Sequence, residues 1–193
     1  MPALSPAQLL DRAARRFAAA EHFRFRVTGS RLPAGADALT AADGVAVRPD
    51  RVAGEFTIRR GSGTMSVHVT SIGGTVWTKV PLLGWVQTDP ARFGLPDPAA
   101  LLSQHHGLTT LLQAIEPTGG SGRTVTGTVP AAKLASLLPS TRGHRLHVRL
   151  RVDGAGRPTL LRLDGVRLAT AAAPSTYTLA FSDYDAPLRV DRP

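Results

Sequence analysis

Serine and carboxylate side chains are the first candidates for catalysis in this sequence, and their spacing does not assemble a reactive site. Gly61-Ser62-Gly63 lies between two strand-like segments, whereas a nucleophilic serine elbow needs a strand-to-helix turn. Glycines 119, 120 and 122 resemble a phosphate loop only in composition, since no Gly-Lys-Ser/Thr follows them. Asp183 and Asp185 end a strand-like segment, where capping or turn roles are expected. We therefore predict no catalytic residues and no enzyme.

Histidine and cysteine are the next candidates, as metal ligands. His105 and His106 are direct neighbours, while His144 and His147 fall on opposite faces of one predicted strand, so neither pair can chelate a metal. The sequence holds no cysteine, which excludes disulfides, thiolate catalysis and cysteine-ligated metals. We predict no metal site and no cofactor.

Length and charge set the remaining bounds. The 193 residues are enough for one domain with a sizeable core, and we expect a single domain over residues 5–193. The net charge of +9 comes almost wholly from arginine, because Lys79 and Lys133 are the only lysines. A GC-rich genome or an anionic partner would each explain this bias. No apolar run approaches the about 18 residues of a membrane span.

The elements that would position any site are mostly strands. Ser5-Pro6 starts a first helix, and Gly29–Asp43 is read as a loop or weak strand. After the helices at the centre of the chain, Thr118–Gly122 is read as a glycine-rich turn and Pro130–Leu138 as a short helix. Strands are predicted at 23–27, Gly44–Arg48, Arg51–Arg60, Thr64–Ile72, Thr75–Val80, around Trp85, and at Thr124–Val129, His144–Val152, Thr159–Leu168 and Ser175–Ser182.

Asp97–Glu116 is the strongly helical passage at the centre of the chain. Asp97-Pro98 gives a capping carboxylate and a first-turn proline, Gly107 breaks the run and Pro117 ends it. Short connections between the strands favour antiparallel hairpins. The sequence therefore predicts an α+β fold, an antiparallel sheet of about nine or ten strands with a helical hairpin on one face.

The inward strand positions form one large apolar face, and two interpretations of it stay open. It is either an ordinary packed core or the floor of a pocket whose lid is Asp97–Glu116. The strand positions are Phe23, Phe25, Val27, Phe56, Ile58, Met65, Val67, Val69, Val76, Leu146, Val148, Leu150, Leu161, Leu163, Leu179 and Phe181. The lid adds Leu101 and a helical stripe of Leu108, Leu111, Leu112 and Ile115.

The outward strand positions carry arginine. Sheet-type nucleic-acid binders pair such charge with exposed aromatic residues that stack on bases, but the aromatic residues here alternate to the opposite face. We predict no nucleic-acid partner, and a solvated basic face that can rest on an anionic membrane surface. The arginines are Arg24, Arg26, Arg145, Arg149, Arg151, Arg162 and Arg167.

Several passages in order resemble the LppX/LprG family of actinobacterial lipoproteins, carriers of acylated lipids and lipoglycans at the cell envelope. The segment from Phe17 to Gly29 is similar to the family's first helix and strand. Gly74–Val80 resembles a strand in the middle of its sheet, Leu95–Leu102 its helix start, and Gly107–Leu112 the segment that follows. Phe181–Val190 resembles its closing strand. No single motif is specific, but the ordered set is.

This resemblance implies a strongly curved antiparallel sheet, or half barrel, with helices packed across its concave face and a lipid cavity between the layers. It implies a non-catalytic carrier of an acylated lipid or lipoglycan, with a membrane exporter as a further partner. We expect the carrier itself to be a monomer. It also implies export and anchoring through an N-terminal cysteine. Neither a leader nor that cysteine occurs in this sequence. The alternative is a structural or adaptor lipoprotein with a filled core that acts through its basic face.

Overall fold

The computed structural model describes residues 4–93, 96–103, 105, 107–134, 137–138, 141–168 and 173–193. These residues form two α-helices, twelve strands and three short 3-10 turns. The helices are α1 (Pro6–Ala19) and α2 (Leu108–Gln113), and the 3-10 turns are Pro90–Phe93, Pro98–Leu102 and Ala131–Lys133. The strands are β1 (His22–Ser30), β2 (Ala38–Val47), β3 (Arg51–Arg60), β4 (Gly63–Ile72), β5 (Thr75–Val80), β6 (Gly84–Gln87), β7 (Glu116–Ser121), β8 (Thr124–Pro130), β9 (Thr141–Arg142), β10 (Arg145–Val152), β11 (Pro158–Leu168) and β12 (Ser175–Ser182).

All strand pairs are antiparallel in one open sheet, as the short connections predict. The order is β6-β5-β4-β3-β2-β1-β12-β11-β10-β8-β7, and β9 pairs with β11. The first and last strands are therefore neighbours in the middle of the sheet, where Phe25 lies opposite Phe181. This pairing joins an N-terminal half, β1 to β6, to a C-terminal half that contains β7, β8, β10, β11 and β12.

Helix α1 covers the C-terminal half of the sheet. Its start is the predicted one. The Ser5 hydroxyl accepts a hydrogen bond from the Gln8 backbone amide, and the Gln8 side chain accepts one from the Ser5 backbone amide, which together form a capping box. The helix packs on α2 and on β7, β8 and β11. Its Phe17 ring lies 5.0 Å from Phe23 and 5.3 Å from Phe181 between ring centroids, so the aromatic residues close this part of the core.

The central passage is less helical than its sequence predicts. The predicted start at Asp97 is confirmed, because its carboxylate accepts from the Ala99 amide, but the segment is a 3-10 turn that ends at Leu102. Helix α2 has only six residues and begins after Gly107. Helix α2 packs mainly against α1 and also contacts the 3-10 turn, and its leucines belong to the core.

Three sequence-based assignments differ from the structure. Residues 38–47 form a full strand where a loop or weak strand is predicted through Asp43. Glu116–Ser121 is an edge strand, not a glycine turn, because β8 supplies its hydrogen-bond partners. Within Pro130–Leu138, the described helical turn covers only Ala131–Lys133. Residues 135 and 136 of that predicted helix lie outside the described residues.

No helix among the described residues is both long and apolar enough to cross a bilayer.

Candidate functional site

An apolar cleft lies on the inward face of the N-terminal half of the sheet. The strands contribute Phe25, Val27, Leu39, Ala42, Phe56, Ile58, Met65, Val67, Val69, Val76, Thr78, Leu163, Tyr177 and Leu179. Opposite them lie Pro90, Pro96, Asp97, Pro98, Ala100, Leu101, Leu134, Leu137 and Leu138. Among the described residues, the lining holds one threonine hydroxyl, one tyrosine hydroxyl and a single carboxylate, and the other lining side chains are apolar. Such a lining favours hydrocarbon over water.

Small residues in β2 and β3 make room for the aromatic floor of the cleft. A Cβ atom on Gly44 would lie 2.8 Å from the Phe25 ring and 2.5 Å from the Ala53 carbonyl oxygen. Glycine is therefore required there so that Phe25 can lie flat against the sheet. The Phe25 and Phe56 ring centroids are 6.4 Å apart. Together these two rings form a wide apolar surface on the floor of the cleft.

Residues 96–102, which we call the cover segment, are held at both ends by polar contacts. At one end, the Ser71 hydroxyl donates to the Asp97 carboxylate at 2.6 Å, and Ser71 is fully buried. At the other end, the Arg48 guanidinium donates to the Leu102 carbonyl oxygen at 3.1 Å. Between these points, Ala100 and Leu101 face the cleft. The position of the cover segment therefore depends on two identifiable hydrogen bonds.

The described side chains leave a cavity between the sheet and the cover segment. The cavity volume is about 90 Å³, several times the roughly 10–15 Å³ that one water molecule needs. It is smaller than the roughly 300–1,000 Å³ of sites that enclose a drug-sized ligand. In this conformation the cavity is therefore too small to enclose a drug-sized ligand.

Two of the three polar side chains that line the cleft already have partners. The Thr78 and Thr88 hydroxyls are 2.7 Å apart, and the Asp97 carboxylate is held by Ser71 and the Ala99 amide. The Tyr177 hydroxyl is buried without a hydrogen-bond partner among the described residues. Burial raises the pKa of Tyr177 to about 12, because the charged phenolate is poorly solvated there. The phenol is neutral at physiological pH.

Replacing Tyr177 with phenylalanine should leave the stability of the protein unchanged or raise the free energy of unfolding by about 1 kcal/mol. The reason is that a buried hydroxyl without a partner costs about 1–3 kcal/mol in desolvation, and the substitution removes it. Urea denaturation measures the change. A loss of more than about 1 kcal/mol would show that the hydroxyl has a stabilising partner in solution.

The structure brings together part of the set of site residues predicted from the sequence. Those that line the cleft are Phe25, Val27, Phe56, Ile58, Met65, Val67, Val69, Val76, Leu101, Leu163 and Leu179. Those that lie in the packed core, away from the cleft lining, are Phe23, Leu108, Leu111, Leu112, Ile115, Leu146, Val148, Leu150, Leu161 and Phe181. The division largely follows α1, which packs on the C-terminal half of the sheet, and the cover segment, which packs on β3 and β4. Strands β1, β11 and β12 contribute residues to both groups.

Some lining residues carry a weak sequence signal. Leu39 and Ala42 belong to the strand read as a loop, and Pro90, Pro96 and Pro98 sit in connections without periodicity. Leu134, Leu137 and Leu138 have helical spacing in the sequence, but that spacing does not indicate which part of the sheet they cover. The inward alternation of Tyr177 with Leu179 would have identified the tyrosine.

The predicted basic face is on the solvent side of the strands, and several of its arginines are paired. Arg24 binds Asp183 at 3.1 Å, and Arg26 binds Asp43 at 2.5 Å. Arg145 binds Glu116 at 2.5 Å, and Arg162 binds Asp164 at 2.9 Å. Exposed pairs of this kind contribute little stability, but they reduce the charge that this face can offer to a partner.

The described residues hold no cluster of three or more histidine or carboxylate side chains that could bind a metal ion. His106, one of the predicted non-ligands, lies outside the described residues.

Comparison with solved structures gives the same architecture. LprF from Mycobacterium bovis superimposes with a TM-score of 0.78 at 18% identity, covering 97% of this chain and 96% of that chain. LppX from Mycobacterium tuberculosis superimposes with a TM-score of 0.59, also at 18% identity, covering 96% of this chain and 99% of the other. No curated protein sequence matches the chain. At this identity the two structures establish the fold alone.

A family model provides the assignment that structural similarity cannot. The model of the LppX_LprAFG lipoproteins matches residues 5–190, which is nearly the whole chain and includes every residue that lines the cleft. This match confirms the resemblance drawn from the ordered sequence motifs. The chain therefore belongs to the LppX_LprAFG lipoprotein family.

Proposed function

We propose that this protein is a non-catalytic lipid carrier whose single domain, residues 5–193, binds the acyl chains of a lipid or glycolipid in the cleft. The observation that carries the proposal is an almost wholly apolar cleft that side chains leave unfilled. In the proposed complex the sheet is a strongly curved half barrel, and the cover segment lies across its concave face. Family membership supports a role with lipids in preference to other apolar ligands.

The energetics of such a complex are dominated by chain burial. Each methylene removed from water contributes about 0.8 kcal/mol, so about twelve buried methylenes contribute roughly 10 kcal/mol before any cost of opening the cleft. Release of the chain into water would be correspondingly slow. Transfer must therefore take place at a membrane or an apolar partner, where the chain loses little by leaving the protein.

Movement of the cover segment is the proposed conformational step. A cavity of about 90 Å³ is too small for full-length acyl chains, so loading displaces the segment from β4. The Ser71–Asp97 and Arg48–Leu102 hydrogen bonds oppose this displacement. Since both are polar contacts at the ends of the segment, one end can open while the other holds.

The proposed setting is the extracytoplasmic face of the cell membrane, where the full-length protein is lipid-anchored and acts as a monomer. The family is one of lipoproteins, which supports this location. In this setting the carrier would take an acylated lipid or lipoglycan from the membrane, or from a membrane exporter, and deliver it to the outer envelope.

Native mass spectrometry of protein purified from an actinobacterial host tests the proposal. We expect a discrete additional mass that disappears after extraction with organic solvent, and saturable binding of a fluorescent fatty acid by the extracted protein. The mass itself begins to identify the cargo. A bare protein mass together with no uptake of the probe would refute a carrier and favour the adaptor.

A further inference from the structure

The turn between β5 and β6 presents apolar side chains to solvent. Leu82 is fully exposed, and Leu83, Trp85 and Val86 are 74%, 39% and 37% exposed. We call residues 81–86 the apolar tip. Single exposed apolar residues are common on protein surfaces, but a contiguous run of them at one protruding point marks an interaction site.

The fold itself gives no reason for a leucine at position 82. Its φ angle is +67°, a conformation that glycine and asparagine tolerate and that costs a branched side chain energy. The neighbouring hairpin turns have the expected composition, with Gly61 and Ser62 between β3 and β4 and Gly73-Gly74 between β4 and β5. Both the backbone conformation and the solvent exposure of Leu82 are unfavourable for a leucine. We therefore attribute the leucine at this position to an interaction with another molecule rather than to folding.

The strand register places basic and aromatic groups beside the apolar tip. Lys79 lies directly opposite Trp85 across the β5–β6 pair. Trp77 lies two residues before Lys79 on the same face, and the Arg192 guanidinium stacks over its ring at 5.2 Å from the centroid. Proteins at a membrane interface show the same order of residues. Apolar side chains lie deepest, tryptophan lies at the headgroup level, and cations lie nearer the water.

The other face of the same hairpin leads into the cleft. Val86 lies opposite Thr78, and Thr78 lines the cleft together with Val76 from the same strand. Residues paired across two strands share a face of the sheet. Val86 therefore lies on the same face of the sheet as the cleft lining, next to its edge at Thr78.

We propose that the apolar tip inserts into the interfacial region of a lipid bilayer with anionic headgroups and docks the protein there. A tip of six residues is far smaller than the roughly 20–30 residues that each partner contributes to a stable protein–protein interface, whereas a membrane needs only a few apolar side chains and nearby cations. The net charge of +9 supports an anionic surface as the partner. This docking does not require that the cleft carries lipid.

Tryptophan fluorescence measures the insertion directly. The chain has two tryptophans, and Trp77→Phe leaves Trp85 as the only one. With vesicles of phosphatidylcholine and phosphatidylglycerol, we expect a blue shift of the Trp85 emission and quenching by lipids brominated near the headgroup. An unchanged spectrum at saturating vesicle concentration would overturn the proposal.

Leu82→Asn with Leu83→Ser is the matched test of the tip. It adds no charge and relieves the backbone at position 82, so we expect a thermal midpoint equal to or above that of the wild type. Vesicle partitioning should fall at least about tenfold, the amount that loss of one buried leucine side chain predicts. Ser62→Asn, at the polar tip of the adjacent hairpin, should leave partitioning unchanged.

Two further results separate this proposal from lipid carriage and from a protein partner. The docking-defective variant should still bind a fluorescent fatty acid in solution, and a variant with a blocked cleft should still bind vesicles. The contrary result is a wild-type protein that does not bind vesicles but sediments as a dimer, which the Leu82 and Leu83 substitutions dissociate. In that case the tip is a contact between two copies of the chain, and the membrane-docking proposal is wrong.

Discussion

Replacing Val67 with tryptophan is expected to abolish uptake of a fatty-acid probe by a protein that stays folded. Val67 lines the cleft on β4 and is only half-buried, so an indole can extend into the cavity without displacing the packed core. Excluding even three methylenes of the ligand costs about 2.4 kcal/mol, or about fiftyfold in Kd. Fluorescence titration of the delipidated protein measures the Kd, and circular dichroism checks the fold.

Ser66→Trp is the control for that experiment, one residue earlier on the same strand. Successive side chains of a strand point to opposite faces, and the Ser66 side chain is exposed, with its hydroxyl 2.9 Å from that of Thr57. The variant therefore adds the same bulk outside the cleft and should bind the probe like the wild type. Equal binding by the Val67→Trp protein would place the ligand elsewhere.

Replacing Arg48 with methionine is expected to lower the free energy of unfolding by about 3 kcal/mol. The guanidinium donates to three backbone carbonyl oxygens, at 2.9 Å to Ala20, 3.1 Å to Leu102 and 3.2 Å to Phe17. Burial lowers the pKa of Arg48, but arginine stays protonated in proteins. Methionine keeps the apolar volume but loses three hydrogen bonds, each worth about 1 kcal/mol or more. The Ala20 and Leu102 oxygens lose their guanidinium donor, whereas the Phe17 oxygen keeps the Ala20 amide as a donor at 3.3 Å.

Urea denaturation measures this loss, and Arg51→Met serves as its control. Arg51 makes one longer hydrogen bond, 3.3 Å to the Val190 carbonyl oxygen, so its loss should cost less than about 1 kcal/mol. Because Arg48 ties the end of α1 to the end of the cover segment, the Arg48 variant should also release a bound probe faster. A stability equal to that of the wild type would mean that water replaces the guanidinium at all three carbonyls.

The strands with large inward side chains could be predicted from the sequence. In β10, leucine and valine alternate with arginine and histidine over eight residues, and the burial alternates in the same way. In β11, Gly165 interrupts the apolar pattern, and the pairing with β12 shifts register there, between Asp164 and Val166. Alternation identifies these strands because successive side chains point alternately to the core and to solvent.

The strands with small inward side chains could not be predicted in the same way. The buried positions of β2 are Ala38, Ala42, Gly44 and Ala46, whereas the larger apolar residues Leu39 and Val45 stand at less buried positions, so no hydrophobic alternation marks the inward face. In β7 the glycines suppress any pattern, and the strand forms because β8 supplies its hydrogen bonds.

The boundaries of the site depend on tertiary packing. Alternation identifies which face of a strand is apolar, but it does not identify what covers that face. Val148 and Val67 have equal inward signals in the sequence, and only the position of α1 relative to the cover segment separates the core from the cleft. That separation arises between elements far apart in the sequence, which local patterns do not encode.

The pairing of β1 with β12 has a consequence for the order in which the protein folds. Phe25 and Phe181 are opposite each other at the centre of the sheet, although almost the entire chain separates them. Closing so long a loop is slow, and contacts of this kind dominate folding rates. The strands β1 to β6 can form successive hairpins early, but the floor of the cleft also needs Tyr177 and Leu179 from the last strand. A chain whose last strand has not yet been synthesised therefore has no complete cleft and cannot hold a ligand there.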